Sequence, residues 1–239
     1  MHRLSVTKNS PLVKAGGTCY DREKVSNGTE EKPKSHPACF IIGAGPFFGL
    51  VTRPAPGDLI LAADGGWQHC AKAGIRPDLL MGDFDSLTEI PQRVPRLTFP
   101  VEKDDTDTML AIKYGLEQGC KTFHLYGGTG GRMDHTLANL QSLAYLAQRG
   151  ARGFLYDEAY TSTALWNDKM TLPARQEGIF SLFCLGPEAH GVSIRGGQYS
   201  LEGADLSPFF PLGVSNHFQG QPVEIEVTNG CLLVCWQNT

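Results

Sequence analysis

Phe123-His124-Leu125-Tyr126-Gly127-Gly128-Thr129-Gly130-Gly131-Arg132-Met133-Asp134-His135 reads as a short apolar strand, a glycine-rich turn and the first residues of a helix. The helical pattern runs from Asp134 to Arg149, with Leu140, Leu143, Ala144 and Ala147 on one stripe and Gly150 as its stop. A strand that feeds a helix through glycines is the unit of a parallel α/β sheet. It also suits an anion. Backbone N–H groups at Gly128 and its neighbours can approach a phosphate, the helix N-terminus adds positive potential, and Arg132 offers a planar fork. The same residues also read as a tight surface turn with an exposed arginine. Asp134 and His135 read as a cap and its partner, with a catalytic role for His135 as the lesser alternative.

Working outward, similar units precede it. Ala38–Ile42 runs into Gly43-Ala44-Gly45, and Leu59–Ala63 into Asp64-Gly65-Gly66. Leu79–Met81 leads to Gly82-Asp83-Phe84-Asp85-Ser86, and Leu97–Val101 to Lys103-Asp104-Asp105-Thr106-Asp107. A helix follows from Asp107 to Gln118, carrying Met109, Ile112 and Leu116, with Thr106 as N-cap and Gly119 as stop. The expected fold is therefore α/β, a doubly wound and mostly parallel sheet, with its ligand crevice at the carboxyl ends of the strands. Many carboxylates gather there. Asp83 and Asp85 are i and i+2 on an extended turn, as are Asp105 and Asp107, so a pair can share one cation. Capping and solvation explain any single Asp; the clustering favours a divalent metal, held by carboxylates together with substrate phosphates.

After about Asp157 the helical patterns stop. Ile179–Leu185, Val192–Ile194, Tyr199–Leu201, Val214–Phe218, Val223–Val227 and Leu232–Trp236 are short strand-like runs punctuated by Pro, Gly and Asn. They predict a small C-terminal antiparallel β-sandwich. The resulting map is a mobile extension over 1–37, an α/β nucleotide- and metal-binding domain over 38–157, and a β-sandwich over 160–239.

Composition narrows the functions. The 239 residues are 41% hydrophobic and 19% charged, ordinary for a globular chain. Residues 1–37 hold seven Lys/Arg against four Asp/Glu, so a net charge of −4 overall leaves −7 on the remainder. Such a body is a poor nucleic-acid binder. No apolar run is long enough to span a bilayer and none resembles a signal-peptide core, so no membrane partner is expected. Seven cysteines without a Cys-x-x-Cys fit reduced thiols and a cytoplasmic location. Cys231 and Cys235 can share one face of a strand as small buried side chains.

The ordered set Gly82-Asp83-Phe84-Asp85-Ser86, Asp104-Asp105-Thr106-Asp107, Gly127 to His135 and Gly213-Val214-Ser215-Asn216-His217-Phe218 resembles thiamin pyrophosphokinases over about Cys39 to Trp236. The resemblance implies an Mg²⁺-dependent, homodimeric enzyme that moves a pyrophosphoryl group from ATP to thiamin and releases AMP. It implies catalytic roles for Asp83, Asp85, Asp107 and Arg132, metal roles for the three aspartates, and a phosphate role for Arg132. Asp64, Asp104, Asp105, Gly128, Asp134 and His135 would attend the nucleotide. Ser215 and Asn216 would bind thiamin, with Phe218 the candidate aromatic to stack on it. A pyrophosphokinase for a hydroxymethyl pterin, a metal-dependent phosphohydrolase and a non-catalytic nucleotide sensor remain alternatives on the residues alone.

Overall fold

The computed structural model describes residues 36–82, 94–99 and 105–238. The expected extension lies outside them except for its last two residues, and so do Asp83, Asp85 and Asp104.

The first half is a parallel sheet. It contains β1 (Ala38–Ile42), β2 (Leu59–Ala63), β3 (Leu79–Gly82), β4 (Arg96–Thr98), β5 (Thr122–Tyr126) and β6 (Arg152–Tyr156), with helices α1 (Gly66–Ala73), α2 (Asp107–Glu117) and α3 (Met133–Ala147). The spatial order is β4-β3-β2-β1-β5-β6, so the chain grows in one direction from β1 and then restarts on its other side at β5. The central strands β1 and β2 are apolar throughout because both faces are covered, and β5 departs from this at Thr122 and the buried His124. Alternation sends Cys39 and Ile41 of β1 to a core shared with α2 and α3. Phe40 and Ile42 go to the opposite core, with Cys70 of α1 and Tyr126.

Both long helices follow local rules. The Thr106 hydroxyl accepts the Met109 N–H at 3.2 Å, as expected of an N-cap. Gly119 and Gly150 follow the helix ends in left-handed conformation. The deepest face of α3 is rotated from the expected stripe, to Asn139, Ser142, Leu143 and Leu146, while Leu140, Ala144 and Ala147 are only partly buried. Two small polar side chains turn inward because each finds a carbonyl partner, Ser142 Oγ on Ala138 O and Asn139 on Gly128 O.

α2 presses on β5 at Gly115. A Cβ there would lie 2.6 Å from Phe123 Cε1 and 3.0 Å from Cys39 Sγ. Gly115→Val should therefore lower stability by about 1–3 kcal/mol through overpacking, a fall of roughly 3–10 °C in Tm. Thermal unfolding checks this, and an unchanged Tm would refute the close approach.

The second half is antiparallel: β7 (Tyr160–Trp166), β8 (Lys169–Leu172), β9 (Ile179–Arg195), β10 (Leu201–Leu206), β11 (Asn216–His217), β12 (Val223–Glu226) and β13 (Asn229–Gln237). The pairing runs on from β6 as β7-β13-β9-β12-β8, with β10 and β11 also paired to β9. β7 and β13 serve two cores. Ala164, Cys231 and Leu233 pack with the α/β half, while Leu165, Leu232 and Val234 pack with the sandwich. Cys231 and Cys235 do share the face toward the α/β core.

Two expected strands, Ile179–Leu185 and Val192–Ile194, are one continuous β9. Its apolar pattern fails over the exposed middle, but backbone pairing does not depend on that pattern. The register with β13 jumps between Leu232↔Cys184 and Gly230↔Ala189. Pro187 sits in that gap, where a missing N–H breaks no ladder.

Candidate active site

The parallel sheet reverses its direction of growth between β1 and β5, and ligands of such sheets bind there, outside the carboxyl ends of the strands. The loops that leave those ends touch backbone to backbone. Gly43 N–H donates to Tyr126 O at 2.8 Å and Gly45 N–H to Gly127 O at 2.9 Å. Gly127 has φ +64° and a Cβ on it would stand 2.4 Å from Gly43 O, so only glycine fits. Asp64 follows β2 directly at φ +48°, and its N–H is held by Met81 O at 2.8 Å.

These loops enclose a cavity of about 610 Å³, which suits a nucleotide-sized ligand. Asp64, Asp105 and Asp107 line it, with Gly128, Arg132 and His135 on the glycine-rich side. Those six sequence candidates share its wall. Asp105 is tethered to Lys113 Nζ at 2.5 Å, which offsets one of the three carboxylates. Asp134 does not line the cavity. It holds Arg132 in a two-pronged pair, Nη2 to Oδ2 at 2.6 Å and Nε to Oδ1 at 3.2 Å, and also accepts the His135 N–H. The guanidinium holds the Asp134 carboxyl below the usual carboxylate range, and Asp134 pushes the arginine up. Both groups lie in water, so the pair orients Arg132 and adds little stability.

Apart from Asn139, whose place one turn into the helix makes it either a member of the site or a merely solvated side chain, two residues at the site carry no legible signal in the sequence. Asn139 is buried and donates from Nδ2 to Gly128 O at 2.8 Å, locking the glycine-rich turn onto α3. His69 Nε2 meets Gly45 O at 2.9 Å and its ring stacks on Phe47. Thr129 is 7% exposed on the cavity wall, and its hydroxyl has no protein partner among the described residues. Spacing along the chain could suggest only Asn139, one turn into α3.

The donors on this wall are carboxylate oxygens, the chemistry that suits Mg²⁺ rather than a soft metal. Among the described residues no three potential ligands stand close enough together to hold an ion alone.

The candidates Ser215, Asn216 and Phe218 lie in the sandwich, and none lines this cavity. Asn216 is buried. Its Oδ1 accepts Tyr199 N–H at 3.0 Å and its Nδ2 donates to Tyr199 O at 2.6 Å, so the amide fixes the backbone that carries Tyr199. A second cavity of about 260 Å³ opens there, lined by Asn216, Tyr199, Leu201, Leu212 and Val214. Ser215 has φ +61° and its N–H donates to Ser181 Oγ. Phe218 corrects the expectation of a stacking aromatic. It is 2% exposed, packed against Phe180 in the core with the Arg175 guanidinium over its ring, and leaves no face for a ligand. The exposed aromatic at this cavity is Tyr199, at 60%.

A doubly wound sheet with an anion-receptive crevice at its switch point, continued into an antiparallel sandwich, defines an α/β enzyme of the phosphate-transferring kind. Comparison with known proteins names the family. The model of the thiamin pyrophosphokinase catalytic domain matches residues 55–155, and that of the thiamin pyrophosphokinase vitamin B1 binding domain matches residues 169–232. The chain belongs to the thiamin pyrophosphokinase family. The thiamine pyrophosphokinase of Bacillus subtilis (strain 168) is 41% identical over 91 residues, which are 36% of this chain and 42% of that protein. The crystal structure of the thiamine pyrophosphokinase from Bacillus subtilis superimposes with a TM-score of 0.77 at 23% identity, covering 84% of this chain and 99% of that one. That from Geobacillus thermodenitrificans gives 0.73 at 24% identity, covering 84% and 98%. The yeast thiamin pyrophosphokinase gives 0.66 at 14% identity, covering 84% and 86%.

Proposed function

We propose that this chain transfers the pyrophosphoryl group of ATP to the hydroxyethyl oxygen of thiamin, giving thiamin diphosphate and AMP. The observation that carries the proposal is the switch-point cavity, where a glycine-rich turn and Arg132 face Asp64, Asp105 and Asp107 within the stretch matched by the family's catalytic domain. In this reading the thiamin oxygen bonds to the β-phosphorus, the bond from that phosphorus to the α–β bridging oxygen breaks, and AMP leaves. Gly128 and its neighbours offer N–H groups to the phosphates, Arg132 swings from Asp134 onto them, and Asp107 takes the hydroxyl proton. Asp107, with Asp83 and Asp85, would hold Mg²⁺, which supplies neutralisation of the charge that builds on the phosphate oxygens. Asp104 and His135 keep nucleotide-side roles.

The thiamin end is assigned to the second cavity, with Tyr199 as the ring that stacks on substrate and Ser215 and Asn216 shaping it. This reading adds a second copy of the chain, whose sandwich would face the first copy's crevice. The acidic body suits a cationic substrate. The cysteines among the described residues are free thiols, which supports a reducing, cytoplasmic setting. No described helix is long and apolar enough to cross a membrane.

Incubation with ATP, Mg²⁺ and thiamin tests the reaction. AMP and thiamin diphosphate should form in equal amounts, and only with thiamin present. ADP as the product, or phosphate released without thiamin, would favour an ordinary kinase or a phosphohydrolase. A hydroxymethyl pterin in place of thiamin should yield nothing. Arg132→Ala should raise KM for ATP by roughly ten- to a hundred-fold by removing a charge-assisted pair of hydrogen bonds. Its Tm should stay within about 2 °C because the pair it breaks is exposed.

A further inference from the structure

We propose that the Tyr126 hydroxyl is a positioning group for the nucleotide: a clasp that fixes the 46–52 segment against the glycine-rich turn and thereby shapes the ATP side of the cavity. The inference rests on ATP occupying the switch-point cavity.

Tyr126 is the last residue of β5 and precedes Gly127 directly. Its backbone O holds Gly43 N–H, so its main chain secures the loop after β1. Its side chain secures a more distant point of the same loop. The hydroxyl donates to Thr52 O at 3.0 Å and accepts Thr52 N–H at 3.0 Å, closing both backbone groups of one residue 74 positions away. Between Gly45 and Thr52 the chain forms no strand or helix. It is pinned at one end by His69 on Gly45 O and at the other by Tyr126 on Thr52. What lies between bears on the site. Phe48 and Pro46 stand against Gly130 and Gly131, close enough that a Cβ on Gly130 would meet Phe48 Cζ at 3.2 Å. A phenol that binds both polar groups of Thr52 therefore sets how closely the two phosphate-side loops approach.

The Tyr126 ring is itself immobilised. It stacks on Tyr156 at 4.5 Å and meets Phe47 edge-on, and burial pushes its phenol up, so it stays a protonated donor. Tyr156 is the useful contrast. It stacks in the same column and its hydroxyl also interacts with that of Tyr126, but its short bond is to His124 Nδ1 at 2.8 Å, and of Thr52 it reaches only the side chain, at 3.5 Å.

Steady-state kinetics of four proteins test the clasp. Tyr126→Phe should raise KM for ATP by roughly tenfold, with KM for thiamin unchanged and kcat within about twofold, because two hydrogen bonds to the loop are lost and no reacting atom is touched. Thr52→Ala keeps the backbone groups that Tyr126 binds and should behave as wild type. Tyr156→Phe should do so as well. A Tyr126→Phe enzyme with unchanged KM for ATP would overturn the proposal, and so would an equal rise in Tyr156→Phe, which would assign the effect to the buried stack at large. Hydrogen exchange of the wild-type Thr52 amide gives a reading that no variant's folding can spoil. It should be protected in the free protein and slowed further by Mg-ATP, whereas exchange at the rate of an open loop would refute the clasp. A wild-type protein that makes no AMP yet protects Thr52 would sink the assigned reaction and leave the clasp standing.

Discussion

Asp107→Asn should yield a folded protein whose thiamin-dependent AMP formation is reduced by roughly 10²–10³-fold or more at saturating ATP and Mg²⁺. Asp107 is the first residue of α2, beside the Thr106 cap, and it lines the cavity with Asp64 and Asp105. Substitution by Asn keeps the shape but removes the charge that would hold the metal and accept the proton. Two small effects on stability oppose each other. The helix start loses a favourable acid, about 0.3–1 kcal/mol, and the cavity loses one of three facing carboxylates. Tm should therefore move by no more than about 4 °C. Near-normal turnover at saturating Mg²⁺ would take Asp107 out of the catalytic set.

The second large effect concerns assembly. Mixing inactive Asp107→Asn protein with inactive Asn216→Ala protein should restore activity as subunits exchange, to about a quarter of wild type at equal proportions. Asn216→Ala removes both hydrogen bonds that hold the Tyr199 backbone at the second cavity. The two cavities have no lining residue in common. If each active site pairs the crevice of one copy with the sandwich of the other, a hybrid dimer holds one site with both lesions and one with neither. Half the dimers are hybrids and half their sites are intact. If each site is built from a single chain, every hybrid site carries one lesion and nothing is recovered. Mass measurement of the mixed population confirms that exchange occurred, so absence of activity then refutes the composite site.

Much was legible in the chain itself because the information is local. Short apolar runs that end in glycine or aspartate announce strands covered on both faces. Thr106 can be read as a cap because its hydroxyl reaches an N–H three residues away. The convergence of Asp64, Asp107 and Arg132 follows from topology alone, since all parallel strands present their carboxyl ends on one edge. β6, β7 and β8 escaped the reading. Arg152–Tyr156 has the residue types of a strand, but it lies where the helical pattern ends and the sandwich begins. Its role, parallel to β5 and antiparallel to β7, is decided by pairing.

The sequence by itself determined the class of fold, the glycine-rich turn and the edge of the sheet that carries chemistry, because each depends on periodicity, on φ or on strand direction. Only the tertiary structure decided which polar and aromatic groups face a ligand. Phe218 and Tyr199 are equally plausible stacking partners as letters, yet one fills the sandwich core and the other lies open. Asp134 and Arg132 are equally plausible at a phosphate, yet the first restrains the second. The Tyr126 hydroxyl finds Thr52 across 74 residues. Such contacts are set by how the sheet brings distant loops together, and no pattern along the chain encodes that distance.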